Sequence, residues 1–244
     1  MPYRRLPNTD LSRIAALQSA IKMEGHKENG ELVLSYQTIR DAQQILTKFK
    51  NLQRAYQQYY DQFILLSKSF REEQHMAHMY ISHFIQVLNM TILRGELRKD
   101  IKEGYGLDTE SSKMPTLKSE HDIAEWGEKI IRGEEQRIAH GGVPIYNPNI
   151  AKVKVHYSIF ADHYYNMNTL RQNIAKYLQE LTDMRPLVDD LLQDMWNQIE
   201  NCYNELPLSA KLEKCQKYGI VYFLRSSEKK QLEAEKMQSR LEFL

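Results

Sequence analysis

The sequence predicts an all-α protein: an elongated helical bundle made of two tandem, related units, which we call repeat A and repeat B. Glycine and proline are scarce, at 10 and 7 of 244 residues, so long stretches contain no helix breaker. Within these stretches apolar residues recur at steps of three and four, as on the buried face of an amphipathic helix. A short helix followed by a long helical hairpin is predicted twice, at an offset of about 110 residues.

Repeat A covers residues 1–110. Thr9 or Asp10 is expected to cap its short helix. The next stretch lacks Gly and Pro and is expected to form the hairpin, with a break between its two helices at Ser69. Ser69 and Glu72 have the spacing of a capping box, in which each side chain accepts a hydrogen bond from the other residue's backbone N–H.

Repeat B covers residues 111–225 and has the same predicted order. Its short helix follows Ser119. Asn147 is expected to cap the first long helix, with Pro148 at the first helical position, where the missing N–H costs nothing. The hairpin is expected to turn at residues 183–186.

The two repeats have similar predicted ends. Tyr105-Gly106-Leu107 and Tyr218-Gly219-Ile220 both match a Schellman turn, in which Gly is left-handed and the next apolar residue packs on the last helical turn. This turn places Ile220 near Cys215, so that cysteine is expected to be apolar in its surroundings and inert. The correspondence favours an internal duplication. Identity between the repeats is low, which leaves chance similarity between two helical hairpins as the alternative.

Residues 226–244 are a separate predicted segment. They are rich in Glu and Lys with few apolar residues, which indicates a solvated helix of marginal stability that orders on a partner.

The amino-acid composition favours some classes of protein and argues against others. With 42% hydrophobic residues, 15 tyrosines and 10 methionines, the chain is expected to fold. A net charge of +1 argues against a surface that binds phosphate throughout. Two cysteines favour a reducing compartment. The sequence contains no apolar stretch of signal-peptide or membrane-span length, so we expect a cytoplasmic protein without a membrane partner.

The N-terminal arm, Pro2 to Pro7, carries Tyr3, Arg4 and Arg5 and is not helical at its prolines. Arms of this kind contact phosphate groups or a neighbouring subunit. An ordinary flexible or surface-packed terminus is the alternative.

Tyrosines cluster on the two longest predicted helices. A tyrosine ring packs at the edge of a bundle, anchors an interface or stacks on a base. Helical spacing favours the bundle edge. Tyr60 and Tyr165 each follow another tyrosine, and neighbours do not share a helix face, so these two are the candidates for exposure and binding.

Helical bundles hold metal pairs through two Glu-x-x-His elements and two more glutamates. Glu72 and His75 form one such element, with Glu73 and His78 nearby, but the sequence contains no second element. We therefore expect no metal and no cofactor, with these side chains at the surface or the core edge. Phosphate-binding loops, dinucleotide-binding turns and nucleophile elbows are also missing from the sequence, which argues against an enzyme.

Four segments resemble a family of uncharacterised bacterial helical proteins: residues 2–10, Tyr80–Asn89, Trp126-Gly127-Glu128 and the Tyr218-Gly219 ending. The resemblance spans most of the chain and implies an all-helical bacterial protein. It implies no activity, because that family has no established function.

These observations favour a non-enzymatic cytoplasmic binding or scaffolding protein. It would contact another protein, or copies of itself, through the N-terminal arm and the C-terminal tail. The alternative is a nucleic-acid- or ribosome-associated protein that uses Tyr3, Arg4 and Arg5. A metal-dependent helical-bundle enzyme around Glu72, His75 and His78 is the third hypothesis.

Overall fold

The computed structural model describes residues 2–25, 32–229 and 233, and this part of the chain is mostly helical, as predicted. Among these residues, none of the helices combines the length and the apolarity that crossing a bilayer requires. The elements in chain order are β1 (Tyr3–Arg4), α1 (Asp10–Gly25), α2 (Tyr36–Leu93), a 3₁₀ helix (Lys99–Tyr105), α3 (Glu120–Ala139), α4 (Ile150–Cys202), α5 (Leu208–Lys217) and β2 (Tyr222–Phe223).

The chain forms two compact units. Unit 1 consists of Met1–Gln58 and Ala175–Leu244, and unit 2 consists of Tyr59–Ile174. Each of the long helices α2 and α4 contributes one part to each unit. Repeats A and B are successive stretches of sequence that meet at residue 110. The compact units divide the chain at other positions.

Helix α2 is continuous over 58 residues, so the predicted break at Ser69 is wrong. The Ser69 hydroxyl donates to the carbonyl oxygen of Leu66, 3.2 Å away, instead of capping a new helix. Phe70 and Ala77 are buried and continue the apolar face beyond the serine. Burial of that face outweighs the local capping signal, because each large apolar side chain contributes about 1.5–3 kcal/mol.

Helix α4 is likewise continuous over 53 residues and contains Pro186, so the predicted turn at residues 183–186 is wrong. Proline cannot donate to the carbonyl of Thr182, four residues earlier. Thr182 and Pro186 are both exposed, which leaves water access to this side of the helix. Met184 and Val188 are buried, and their packing holds the helix together. The two predicted hairpins are thus single helices.

The start of α4 also differs from the prediction. The helix begins at Ile150, and Asn149 rather than Asn147 caps it: the Asn149 Oδ1 accepts from the Lys152 N–H at 2.9 Å. Pro148 precedes the cap and follows a cis peptide bond with Asn147. The caps predicted for the short helices are confirmed, by Thr9 for α1 and by a Ser119–Asp122 capping box for α3.

Both Tyr-Gly turns have the predicted Schellman geometry. Gly106 and Gly219 have φ values of 69° and 88°, a left-handed conformation that strains other residues. The residue after each Gly donates to the carbonyl five residues earlier: Leu107 to Lys102 at 3.0 Å, and Ile220 to Cys215 at 3.4 Å. Cys215 and Ile220 are both buried, but the Cys215 thiol hydrogen-bonds to the Tyr222 hydroxyl, so its surroundings are not wholly apolar as predicted.

Each unit has its own apolar core. The largest fully buried side chains of unit 1 are Trp196, Tyr218, Phe49, Leu17 and Leu34. Those of unit 2 are Tyr105, Phe84, Phe160, Ile81, Ile85, Leu88 and Ile123.

Candidate functional site

The N-terminal arm lies in a two-stranded antiparallel ribbon in unit 1. Strand β1 pairs with β2, so that Tyr3 lies opposite Phe223 and Arg4 opposite Tyr222. The backbone N–H of Arg5 extends the pairing by donating to the carbonyl oxygen of Val221 at 2.8 Å. The arm is therefore a surface-packed terminus, joined to the residues that directly precede the predicted tail segment.

The inner face of the ribbon is tied to α4. Arg4 Nη1 donates to the Asn197 Oδ1 at 2.8 Å and lies 3.6 Å from the Glu200 Oε2. The Tyr222 hydroxyl donates to the Glu200 Oε1 at 2.7 Å, and burial together with this carboxylate raises the pKa of Tyr222. Arg4 is therefore engaged within the unit, with its charge partly offset by Glu200.

The outer face of the ribbon consists of Tyr3, Arg5, Val221 and Phe223, and we call it the ribbon surface. Residues two apart in a strand, and residues opposite each other on paired strands, share a face. Tyr3, Val221 and Phe223 are 71%, 56% and 62% exposed. The Arg5 side chain is also exposed and makes no ion pair with the residues that the structure describes. The surface is thus aromatic and apolar with one unpaired cation.

A cavity of about 520 Å³ adjoins the ribbon surface. Its lining includes Leu6 and Pro7 of the arm, Ala15 and Ala16 of α1, and Trp196 of α4. Arg5 is the one charged residue among the described residues that line it. The cavity is therefore mainly apolar, with a cationic group in its lining.

Trp196 also lines a second cavity, of about 680 Å³, to which Arg4, Glu200, Arg225 and Glu228 contribute. Its lining contains charges of both signs. The side chain of Trp196 is 1% exposed, and its indole N–H has no hydrogen-bond partner in the described part of the chain. Buried donors in folded proteins nearly always have a partner, so this nitrogen is unusual.

Tyr60 and Tyr165 are both exposed, as predicted. They belong to unit 2, whereas Tyr3, Arg4 and Arg5 belong to unit 1. The Tyr165 ring is tilted against Tyr164, with their centroids 5.5 Å apart. The five predicted binding residues therefore do not form one site within a single unit.

The predicted metal-binding residues lie on α2 in unit 2. Glu72 and His75 are exposed and His78 is half-buried, while Glu73 hydrogen-bonds to His163 of α4. Across residues 2–25, 32–229 and 233, no group of three or more His, Cys, Asp or Glu side chains is arranged to hold a metal ion. Nothing in these ranges supports the metal-enzyme hypothesis.

A buried tyrosine–glutamate pair in unit 1 was missed by the sequence reasoning. The Tyr218 hydroxyl donates to the Glu24 Oε1 at 2.8 Å, and the backbone N–H of Val33 donates to the Oε2 at 3.2 Å. Burial, followed by hydrogen bonds to Tyr203 and Glu24, raises the pKa of Tyr218. Glu24 thus joins the end of α1 to the last turn after α5.

Unit 2 contains a matching pair. The Tyr105 hydroxyl hydrogen-bonds to Glu134, whose Oε1 accepts from the backbone N–H of Ile145 at 3.1 Å. Arg137 adds two hydrogen bonds to the same carboxylate, at 2.7 and 2.8 Å. A signal was present in the sequence: each tyrosine belongs to a Tyr-Gly turn, and each glutamate lies near the end of a short helix.

No family model matches the chain. No curated protein and no solved structure matches it either. The resemblance to uncharacterised bacterial helical proteins therefore stays a sequence-based expectation. The fold and the surface together define a mostly helical protein with an exposed aromatic ribbon, and its function has to be inferred from that surface.

Proposed function

We propose that this is a non-enzymatic cytoplasmic binding or scaffolding protein that contacts a protein partner through the ribbon surface. One observation carries the proposal: Tyr3 and Phe223 lie opposite each other with 71% and 62% of their surfaces exposed. Exposed aromatic groups on a fixed support are typical of interfaces, where Tyr and Phe are enriched.

The ribbon surface suits binding because it is already ordered. Arg4 and Tyr222 attach the inner face to Glu200. Binding of a partner therefore loses no conformational entropy in ordering the arm. Burial of an aromatic side chain contributes about 1.5–3 kcal/mol. Two adjacent rings therefore supply enough free energy to form the centre of an interface.

Affinity purification from the native cell tests this role, with the wild-type protein compared with a Tyr3→Ser/Phe223→Ser double variant. We expect a specific partner to be recovered with the wild type and lost with the double variant. Tyr146→Ser is the matched control, since Tyr146 is an exposed tyrosine of unit 2. Recovery of the same partner by the double variant would exclude the ribbon surface. Sedimentation over a range of concentrations tests whether the partner is a second copy.

A nucleic acid or ribosome is the second candidate, favoured by the exposed, unpaired Arg5 beside Tyr3. In that case Arg5→Ala should weaken RNA binding and make its salt dependence shallower by about one counterion. Arg4 is held by Asn197 and Glu200, so Arg4→Ala should act mainly by loosening the ribbon. A partner that is retained after nuclease treatment would contradict this candidate.

We further propose that repeats A and B arose by tandem duplication. Two correspondences support this origin. Both Tyr-Gly turns have the same six-to-one hydrogen bond. In both buried pairs the glutamate comes from the short helix of one repeat and the tyrosine from the end of the other: Glu24 with Tyr218, and Glu134 with Tyr105. Relatives of this chain whose two repeats are more alike would test the origin directly.

A further inference from the structure

The cavity of about 520 Å³ has the size and lining of a small-ligand site. Such sites span roughly 300–1,000 Å³ and are mainly apolar with a few polar groups. Here the apolar lining includes Leu6 and Pro7 from the arm, Ala15 and Ala16 from α1, and the indole of Trp196 from α4. Gly219 and Val221, which follow α5, also line it. Four separate segments of unit 1 therefore form the cavity, and the ordered arm completes it.

Small residues keep the cavity open on the α1 side. At Gly219 an added Cβ would lie 3.1 Å from the Ser19 Cβ and 3.4 Å from the Ala16 Cα, so the turn and α1 are already in close contact. Ala15 is exposed on α1 and lines the cavity with no side chain beyond its methyl group. The space is therefore a consequence of fixed backbone packing together with small side chains.

The charge of the lining selects the kind of ligand. Arg5 is its one charged residue among those described, whereas Arg13 and Arg185 of the same unit form ion pairs with Asp189 and Asp10 at 2.8 Å. The Arg5 guanidinium makes no such pair. A planar guanidinium in an apolar setting matches a carboxylate, which accepts two parallel hydrogen bonds.

The remaining polar groups point to the same chemistry. Thr9 and Ser12 hydrogen-bond to each other, and the Ser19 hydroxyl donates to the Ala15 carbonyl, so these hydroxyls are already used. The indole N–H of Trp196 is buried, so it is out of reach of a ligand in the cavity. Asn8 and Arg5 are the remaining polar side chains among the described residues of the lining. The Asn8 amide both donates and accepts, whereas the Arg5 guanidinium only donates, so the group that pairs with Arg5 must supply acceptors.

We propose that this cavity binds a small apolar carboxylate, with the Arg5 guanidinium as its charged contact. The apolar part of the ligand packs against Leu6, Pro7 and Ala15. The carboxylate belongs either to a free aliphatic acid or to the C-terminal residue of a peptide, since both present the same chemistry. The cavity shares Arg5 and Val221 with the ribbon surface, whereas Tyr3 and Phe223 lie outside its lining. Its ligand and the protein partner proposed above can therefore be tested separately.

The test follows the two tryptophan indole N–H resonances by NMR in the full-length protein while octanoate is added. We expect the Trp196 resonance to shift to saturation and the Trp126 resonance of unit 2 to stay in place, as an internal control. Octanoate methyl ester should bind at least tenfold more weakly, because it lacks the charge that Arg5 pairs with. A Trp196 resonance that does not move, or an ester that binds equally well, would overturn the proposal.

Two pairs of variants complete the test. Arg5→Gln should weaken octanoate binding at least tenfold, and Arg98→Gln, an exposed arginine paired with Asp100, should leave it unchanged. Ala15→Leu should fill the cavity and abolish binding, while Gln18→Leu alters another exposed α1 position outside the lining. Since both leucine substitutions are at exposed helical positions, the protein should remain folded by circular dichroism. Undiminished binding by Ala15→Leu would contradict the assignment.

The source of the carboxylate is distinguished by a pentapeptide that ends in leucine, with its terminus free or amidated. Binding of the free-terminus peptide alone assigns the cavity to a protein C-terminus, and binding of octanoate alone assigns it to a free acid. Binding of neither overturns the proposal. The Tyr3→Ser/Phe223→Ser variant should still bind the probe, so failure of the ribbon surface and failure of the cavity are separable.

Discussion

Tyr105 and Tyr218 each donate a hydrogen bond to a buried carboxylate, Glu134 and Glu24 respectively. Burial raises the pKa of both phenols, followed by the hydrogen bond to Glu134 for Tyr105 and by those to Tyr203 and Glu24 for Tyr218. An ionised phenol beside a carboxylate would place two negative charges in an apolar core. Both tyrosines are therefore stabilising only as long as they keep their protons.

The stability of the protein should consequently fall at alkaline pH. The unfolded tyrosines lose their protons near pH 10 while the folded ones retain them, so the unfolded state binds fewer protons above that pH. Each buried tyrosine then lowers the free energy of unfolding by at most about 1.4 kcal/mol per pH unit. Below pH 10 this contribution is fully present. Urea unfolding at pH 9, 10 and 11 measures the slope.

Tyr105→Phe should make the fall in the free energy of unfolding between pH 9 and pH 11 shallower, because one buried tyrosine no longer contributes to it. At pH 8 it should cost about 1 kcal/mol, since Glu134 keeps its hydrogen bonds from Arg137 and Ile145. Tyr146→Phe is the control, because Tyr146 is exposed. An identical alkaline slope in wild type and Tyr105→Phe would show that this phenol ionises equally in both states.

At the scale of the elements, local signals succeeded where a residue's own neighbours decide its conformation. Ser119 caps α3 and Gly106 is left-handed in its turn, as predicted, because a capping hydrogen bond or a left-handed φ involves only a few adjacent residues. The same reasoning failed at Ser69 and Pro186. There the apolar face continues on both sides, and burial against other helices outweighs the local signal.

Replacement of Ser69 and Ser119 by alanine distinguishes a serine in the interior of a helix from a serine that caps one. Ser69→Ala should leave the free energy of unfolding unchanged or raise it by about 0.5 kcal/mol, because alanine is the better helix former at an exposed interior site. Ser119→Ala should lower it by about 1 kcal/mol, because the Asp122 N–H loses its acceptor. Chemical denaturation of the two variants makes the comparison. Equal losses would indicate that α2 breaks at Ser69.

The whole molecule consists of two compact units whose described cores have no buried residue in common. The hydrogen bonds of each tyrosine–glutamate pair likewise lie within one unit. Local openings of one unit can therefore occur at a lower free energy than global unfolding.

Hydrogen exchange tests this independence. Tyr218→Phe should accelerate amide exchange about fivefold in the buried parts of unit 1, and Tyr105→Phe should do so in unit 2, for a loss near 1 kcal/mol. Helix α2 provides an internal comparison, since residues 36–58 belong to unit 1 and residues 59–93 to unit 2. Equal acceleration along the whole of α2 in either variant would indicate one cooperative unit.

The sequence alone determined the helical class, the caps of the short helices, both Tyr-Gly turns and the exposure of Tyr60 and Tyr165. These features depend on side-chain periodicity and on contacts between residues a few positions apart. The tertiary structure alone decided that α2 and α4 are continuous, that the arm pairs with residues 221–223, and that Glu24 meets Tyr218, 194 residues later. The cavity depends on the same long-range contacts. Burial and strand pairing join residues that are distant in sequence, so no local pattern contains them.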